Sequence, residues 1–240
     1  MKVRAFTLMW GTAWERYGEV FASTFAKYWP KEVELVVVAD RQLPLRRGRI
    51  ADLTAIPGVG EFRHRWKDQD VANGKRPPKG SKVDENGYSW RMDSVKWMPQ
   101  AMAPLAVLED MYDGDILLWF DADVETASKV PLGWPTELLG DADVACLQRV
   151  GTHTEIGFYG IRINARTRAF LRRFAAIYAT DEVFKLKQWH SAFVFDRALE
   201  SISGIKVRNL NPTGAKGHVW PSSPLAEHLV HNKGKRKDKK

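Results

Sequence analysis

Asp121-Ala122-Asp123 directly follows the apolar run Ile116 to Phe120 (ILLWF). Two carboxylates this close, with nothing basic between them, repel one another unless a cation neutralises them, and hard divalent ions prefer such oxygen ligands. Two other Asp-X-Asp tripeptides occur, Asp68-Gln69-Asp70 and Asp141-Ala142-Asp143, but neither lies directly beyond an apolar strand. Open α/β sheets bind their ligands beyond the carboxyl ends of strands. Asp121 and Asp123 are therefore the predicted divalent-metal ligands.

Charge is the second chemical signal. The 240 residues carry 37 Lys+Arg against 29 Asp+Glu, a formal net charge of +8. Residues 41–82 and 231–240 hold more than this excess, and the remainder of the chain is mildly acidic. Two readings of these basic segments stand side by side, solvated loops with a frayed tail or surfaces that bind phosphates. Cys146 is the only cysteine, which excludes a disulfide framework and a Cys-based zinc site. No apolar stretch reaches the ~18–20 residues of a membrane span, and the apolar run near the amino terminus is too short for a signal-peptide core. A cytoplasmic protein is predicted.

The elements that must position these residues alternate as in a βα protein. Val3 to Met9 has strand length, and a helical pattern through Val20, Phe21, Phe25 and Tyr28 stops at Trp29-Pro30. The continuous run Val33 to Ala39 (VELVVVA) reads as a buried parallel strand ending at Asp40. From about 41 to 86 the chain is rich in Gly, Pro and charge without sustained period, predicting a long basic loop. Met92 to Tyr112 has helical spacing broken by Pro99 and Pro104, and Asp115 to Phe120 is the strand that delivers the Asp pair. Further strands are predicted at Val144 to Gln148 and Gly157 to Ile163, then a helix from Ala165 to Ala179 capped by Asn164. Lys187 to Leu199 is a further mixed apolar segment. The prediction is one α/β domain over 1–240, Rossmann-like, with a central mixed, mostly parallel sheet flanked by helices and a basic tail at 231–240.

In Ile116-Leu117-Leu118-Trp119-Phe120-Asp121-Ala122-Asp123 the chain resembles the metal-dependent GT-A glycosyltransferases, whose DXD motif follows a hydrophobic strand. In that family the pair holds Mn²⁺ or Mg²⁺ against the diphosphate of a nucleotide sugar, often a UDP-sugar. The segment His231-Asn232-Lys233-Gly234-Lys235-Arg236-Lys237 is similar to the H-x-x-G-x-x-K pattern of the glycogenin-like branch, although Asp238-Lys239 replaces the usual Pro-Trp after it. The resemblance implies that His231 is the third metal ligand and that Gly234 and Lys237 meet the diphosphate. Arg91, Asp93 and Lys96 resemble an R-x-D-x-x-K-type segment whose basic side chains reach the donor. Trp10, Gly11 and Thr12 after the first strand, and Asp40 after the second, occupy positions that hold base and ribose in GT-A folds.

Glu155-Ile156-Gly157-Phe158-Tyr159-Gly160 resembles the glycine-containing segment lining the sugar pocket, and Gln188 to Asp196 resembles a segment often reading W-x-D-S. Here His190-Ser191 stands where the family has its Asp. The glycogenin-like likeness implies retention of anomeric configuration, which needs no dedicated base; for inversion, His190, Asp196 and Glu155 are the candidate bases in that order. The chain also resembles small phage-encoded transferases, some of which glycosylate hydroxymethylated pyrimidines in DNA. A DNA acceptor would use Arg46, Arg47, Arg49, Arg63, Arg65, Lys75 and Arg76 as phosphate contacts, with Trp66 stacking on or wedging beside an extruded base. Saccharide or lipid-linked acceptors also suit a basic rim. The competing functions are nucleotidyl transfer on the same fold and non-catalytic nucleic-acid binding.

Overall fold

The computed structural model describes residues 1–214 and 216–232. In chain order its elements are β1 (Val3–Met9), α1 (Glu19–Tyr28), β2 (Glu34–Ala39), β3 (Arg49–Asp52), α2 (Val59–Trp66), α3 (Ser94–Met102), β4 (Ile116–Phe120), β5 (Val124–Thr126), α4 (Trp134–Leu139), β6 (Val144–Leu147), β7 (Glu155–Arg162), α5 (Ala165–Ala179), α6 (Ser191–Glu200), β8 (Val207–Asn209) and β9 (Leu229–His231). Seven strands form a sheet in the order β3-β2-β1-β4-β7-β6-β8, while β5 and β9 make a separate antiparallel ribbon. Strands β1 to β4 run parallel within the sheet, β7 is antiparallel to both β4 and β6, and β8 is parallel to β6. This is the mixed, mostly parallel α/β sheet expected from the sequence.

The continuous apolar runs of β1, β2 and β4 have a simple cause, since helices cover both faces of the sheet. Alternate residues of each strand feed opposite cores. Phe6, Val36, Val38, Leu117 and Trp119 pack with Met98 of α3, Phe170 and Phe174 of α5, and Phe195 of α6. Ala5, Leu35, Val37, Leu118 and Phe120 pack instead with Phe21 and Phe25 of α1, Trp29, and Trp134 of α4. Asn164 caps α5 as the sequence predicts, its Oδ1 accepting the Thr167 N–H at 3.0 Å. The proline-broken helix is also found, because α3 gives way to a 3₁₀ turn at Ala103–Val107.

Residues 41–86 depart from the predicted loop. β3 pairs along β2, with Ile50 opposite Val37, and α2 buries Val59 and Phe62, whose spacing places them on one helical face. Gly58, at a φ of 91°, starts α2 in a left-handed conformation that glycine adopts freely, and the Glu61 carboxylate accepts its N–H at 3.0 Å. The apolar segment Lys187 to Leu199 resolves into α6.

The sheet order fixes where a ligand can sit. From β1 the chain moves to β2 on one side, and β4 lies on the other, so the carboxyl ends of β1 and β4 flank a topological switch point. Open α/β sheets bind ligands in that crevice.

Candidate metal and donor site

Asp121 leaves β4 at the switch point, its N–H donating to the Gly157 carbonyl at 2.9 Å. A tight turn, closed by Val124 N–H to the Asp121 carbonyl at 3.1 Å, places Asp123 beside it. The ribbon supplies the third group, because Val124 of β5 pairs with His231 of β9 and Asn232 N–H donates to the Asp123 carbonyl at 3.1 Å. His231 Nε2 lies 3.1 Å from Asp123 Oδ1 and 3.9 Å from Asp121 Oδ2. The ligand atoms of Asp121, Asp123 and His231 all lie within 4.8 Å of one another. Six-coordinate ions with ligand bonds of about 2.1 Å separate adjacent ligands by roughly 3.0 Å and opposite ones by roughly 4.2 Å, a range that holds the 3.1 and 3.9 Å separations from His231 Nε2.

Gly157 makes room for this arrangement. A Cβ there would lie 2.6 Å from His231 Cε1 and 2.9 Å from Nδ1, far inside contact distance. The imidazole fills the space a side chain would take, with the Trp220 ring 4.8 Å away, and its Nδ1 has no hydrogen-bond partner among the described residues. Packing therefore holds the ring with Nε2 toward the carboxylates. Gly157→Ala is expected to displace the imidazole and weaken Mn²⁺ binding by about 10–100-fold, the range seen when support of a metal-binding histidine is lost. Titration calorimetry with Mn²⁺ checks this, and an unchanged affinity would contradict the role of Gly157.

Two clefts meet at the Asp pair. The smaller, about 290 Å³, is lined by Leu8, Trp10, Tyr17, Lys96, Trp97, Gln100 and the 121–123 turn, among others. The larger, about 450 Å³, runs past Trp90, Arg91, Arg149, His153, Glu155, His190 and Ser191. Asp121, Asp123, Trp97 and Gln100 belong to both.

The other predicted residues divide between these walls and the scaffold. Trp10 faces the smaller cleft with the Arg63 guanidinium 4.6 Å from its ring. Gly11 N–H reaches Asp40 Oδ2 at 3.5 Å, while Asp40 Oδ1 is buried without a hydrogen-bond partner among the described residues. Thr12 lines neither cleft; its carbonyl accepts Arg16 N–H at 3.3 Å in the turn beyond β1. Arg91 and Lys96 open into different clefts. Asp93 between them caps α3, its Oδ1 accepting Lys96 N–H at 2.9 Å and its Oδ2 the Tyr88 hydroxyl at 2.8 Å. Gly234 and Lys237 lie outside the described residues.

His190 caps α6, with Nδ1 accepting Phe193 N–H and Nε2 donating to Gln188 Oε1 at 2.8 Å. Burial, followed by the nearby charges of His153, Arg91 and Arg149, pushes its pKa down to about 3, so the ring is neutral at physiological pH. Asp196 sits behind the cleft wall, accepting Thr154 Oγ1–H at 2.6 Å and Thr154 N–H at 3.1 Å, and burial raises its carboxyl above the usual range. Glu155 faces Arg149 at 3.3 Å.

Gln100 has a place the sequence reading missed. Its Nε2 donates to Asp121 Oδ1 at 3.2 Å, and its Oε1 accepts the Ser191 hydroxyl at 2.5 Å. The chain Ser191–Gln100–Asp121 thus orients the carboxylate and leaves Oδ2 toward His231. The available signal was a lone glutamine in the apolar stretch Met98 to Met102; in the fold it is 6% exposed.

The basic segment spends much of its charge within the fold. Arg47 donates to the carbonyls of Trp29, Pro30 and Val33. Arg49 pairs with Glu34, Arg65 with Asp181 and Arg76 with Asp70, and Arg63 lies against Trp10. Trp66 donates to Asp181 at 2.7 Å and packs against Phe184 with ring centroids 4.3 Å apart. Among the described residues no helix is long and apolar enough to cross a membrane.

The chain has a glycosyltransferase fold. It is similar to a glycosyltransferase involved in the glycosylation of the major capsid of PBCV-1, with a TM-score of 0.51 and 11% identity over all of both chains. It is likewise similar to mouse xyloside xylosyltransferase 1 in its apo form, with a TM-score of 0.51 and 9% identity over 88% of this chain and 86% of that one. At these identities the likeness is one of fold. No protein-family model matches the chain, and no curated protein sequence does.

Proposed function

We propose that the chain transfers a sugar from a nucleotide-sugar donor, a UDP-sugar, to a saccharide hydroxyl, with Mn²⁺ or Mg²⁺ held by Asp121, Asp123 and His231. The observation that carries this reading is the convergence of those ligand atoms within 4.8 Å of one another, at the switch point of a glycosyltransferase fold and where two clefts meet. When bound, the ion supplies positive charge against the negative charge that develops on the departing diphosphate. Trp10 and Lys96 make the smaller cleft suited to base and phosphates, whereas Asp40 lines neither cleft. Arg91 and Arg149 line the larger cleft, where the sugar meets its acceptor.

The larger cleft also bears on stereochemistry. Its titratable groups beyond the metal ligands are Arg91, Arg149, His153, Glu155 and His190. An imidazole pushed down to about 3, with both nitrogens hydrogen-bonded, is a poor base, and Glu155 is turned to Arg149. His153 is held with Nε2 3.2 Å from Gln188 Oε1, and the reading favoured is retention: the bond between the anomeric carbon and the phosphate oxygen breaks, the acceptor oxygen bonds to that carbon on the same face, and its proton passes to the departing phosphate oxygen. The expected product keeps the donor's anomeric configuration, read from the anomeric coupling constant by NMR; an inverted product would overturn this assignment.

Incubation with Mn²⁺, several UDP-sugars, simple saccharides and duplex DNA carrying hydroxymethylpyrimidines tests the reading. Sugar transfer to saccharides, or slow sugar-nucleotide hydrolysis, supports it. Pyrophosphate release would assign nucleotidyl transfer instead, transfer to the DNA would move the acceptor to nucleic acid, and salt-sensitive nucleic-acid binding with no turnover would assign a binding role.

A further inference from the structure

Trp90 is an indole that the fold does not need to expose. Of the ten tryptophans it alone is largely open to solvent, at 44% exposure, while Trp29, Trp119, Trp134, Trp189 and Trp220 are buried. Leaving part of so large an apolar side chain in water forgoes burial, a cost that a binding surface explains. The ring is also held firmly. The Trp90 carbonyl accepts the Trp97 indole N–H at 2.7 Å, and the Trp90 ring meets Trp97 at 6.2 Å and His190 at 5.0 Å between centroids. The turn beneath it is tied down as Trp189 N–H donates to the Arg91 carbonyl at 2.8 Å.

Its neighbours decide what it binds. Trp90 lines the larger cleft together with the metal ligands, and the polar groups of Thr152, His153 and Arg91 lie around the same cavity. A flat apolar platform with hydrogen-bonding groups at its edge matches a pyranose ring, whose C–H face is apolar and whose rim carries hydroxyls. The Arg91 guanidinium, 4.9 Å from the Trp90 ring centroid, is one of the hydrogen-bond donors beside the platform. We propose that Trp90 is the stacking platform for the acceptor saccharide, a subsite distinct from the donor-base cleft on the Trp10 side. This deepens the sugar-transfer reading and rests on it.

The test uses the full chain, with methyl glucoside, methyl galactoside and methyl xyloside as acceptor probes, uridine and cytidine as competitors, and UDP with Mn²⁺ as the donor-side control. Saturation-transfer NMR is expected to show contact through the ring C–H protons of at least one glycoside. Binding should weaken about tenfold in Trp90→Ala, in line with the worth of one aromatic contact, and be largely restored in Trp90→Phe. UDP–Mn²⁺ binding should be unaltered in both variants, which also reports that they are folded. Glycoside binding that is absent in the wild type or unchanged in Trp90→Ala would overturn the proposal, and so would saturation of the nucleosides in place of the sugars at Trp90. Loss of the platform with UDP–Mn²⁺ binding intact would leave the sugar-transfer reading standing; a wild type that binds neither UDP nor Mn²⁺ would remove both.

Discussion

Asp123→Ala is expected to lower sugar transfer by about 10³-fold and to remove Mn²⁺ binding with it. The side chain is 8% exposed, wedged between the turn after β4 and His231, so water has little room to substitute for the missing oxygen. Charge stabilisation of several kcal/mol is at stake in such sites, and each 1.36 kcal/mol is a factor of ten. Stability separates this effect from misfolding. Without metal, the variant loses a carboxylate that repels Asp121 but also the contact with His231 Nε2 at 3.1 Å, so its unfolding midpoint should stay close to that of the wild type. Mn²⁺ at a hundredfold excess over its dissociation constant should stabilise only the wild type, by about 2.7 kcal/mol, which for a chain of this size is roughly 5–10 °C. Activity that persists in EDTA, or in both Asp123→Ala and His231→Ala, would defeat the metal assignment.

What the sequence discloses about this site follows from the range of the interactions involved. Asp121 and Asp123 are legible because a strand of five buried apolar residues ends directly before them, and strand and turn are local features. His231 is legible only through a resemblance. The strand that carries it is three residues long and meets β5 from a distant part of the chain, so no periodicity announces it. Gly157 is legible only as part of the glycine-containing segment that the resemblance picks out, and its role beside His231 needs the fold. The helix α2 escapes notice for another reason: its apolar positions Val59, Phe62 and Trp66 have helical spacing, but Glu61, Arg63 and Arg65 interleave them and give the stretch the composition of a loop. The cap at Asn164 and the break after α3 depend on single residue types at fixed offsets, and both are where the sequence puts them. Charge is less legible in one dimension. Arg47 donates to three backbone carbonyls, while Arg49 and Arg65, 45% and 38% exposed, pair with Glu34 and Asp181 at the surface.

Arg4→Met is expected to destabilise the protein by about 2–3 kcal/mol while leaving the clefts intact. Arg4 lies in the middle of the sheet with no exposed side-chain surface, yet it carries a full charge. Its guanidinium donates to the Val107 carbonyl at 2.6 Å, the Glu109 carbonyl at 3.0 Å, Glu34 at 2.7 Å and Asp110 at 2.8 Å, tying β1 to β2 and to the turn after α3. Removing one member of a fully buried charge pair costs about 3–5 kcal/mol. Here the loss should be smaller, because Glu34 and Asp110 are 27% and 54% exposed and keep Arg49 and Lys2 as partners. Acid titration supplies the independent check. Burial alone would raise the Glu34 carboxyl, but hydrogen bonds from Arg49 and Arg4 outweigh it and hold it below its ordinary 4.5. Hydrogen bonds from Lys2 and then Arg4 pull Asp110 down to about 2. Carboxyls depressed in the folded state stabilise it fully above their unfolded values, and that stability is lost as the pH falls through the folded ones. Wild-type stability should therefore decline from about pH 4.5 toward about 2, and the decline should be shallower in Arg4→Met. Urea unfolding at pH 7 and pH 3 measures both quantities. Equal losses in the two proteins between those pH values would show that Arg4 does not hold these carboxylates. Because Arg4 sits at the start of β1 and Trp10 follows its far end, UDP–Mn²⁺ binding should survive the substitution at temperatures where the variant remains folded.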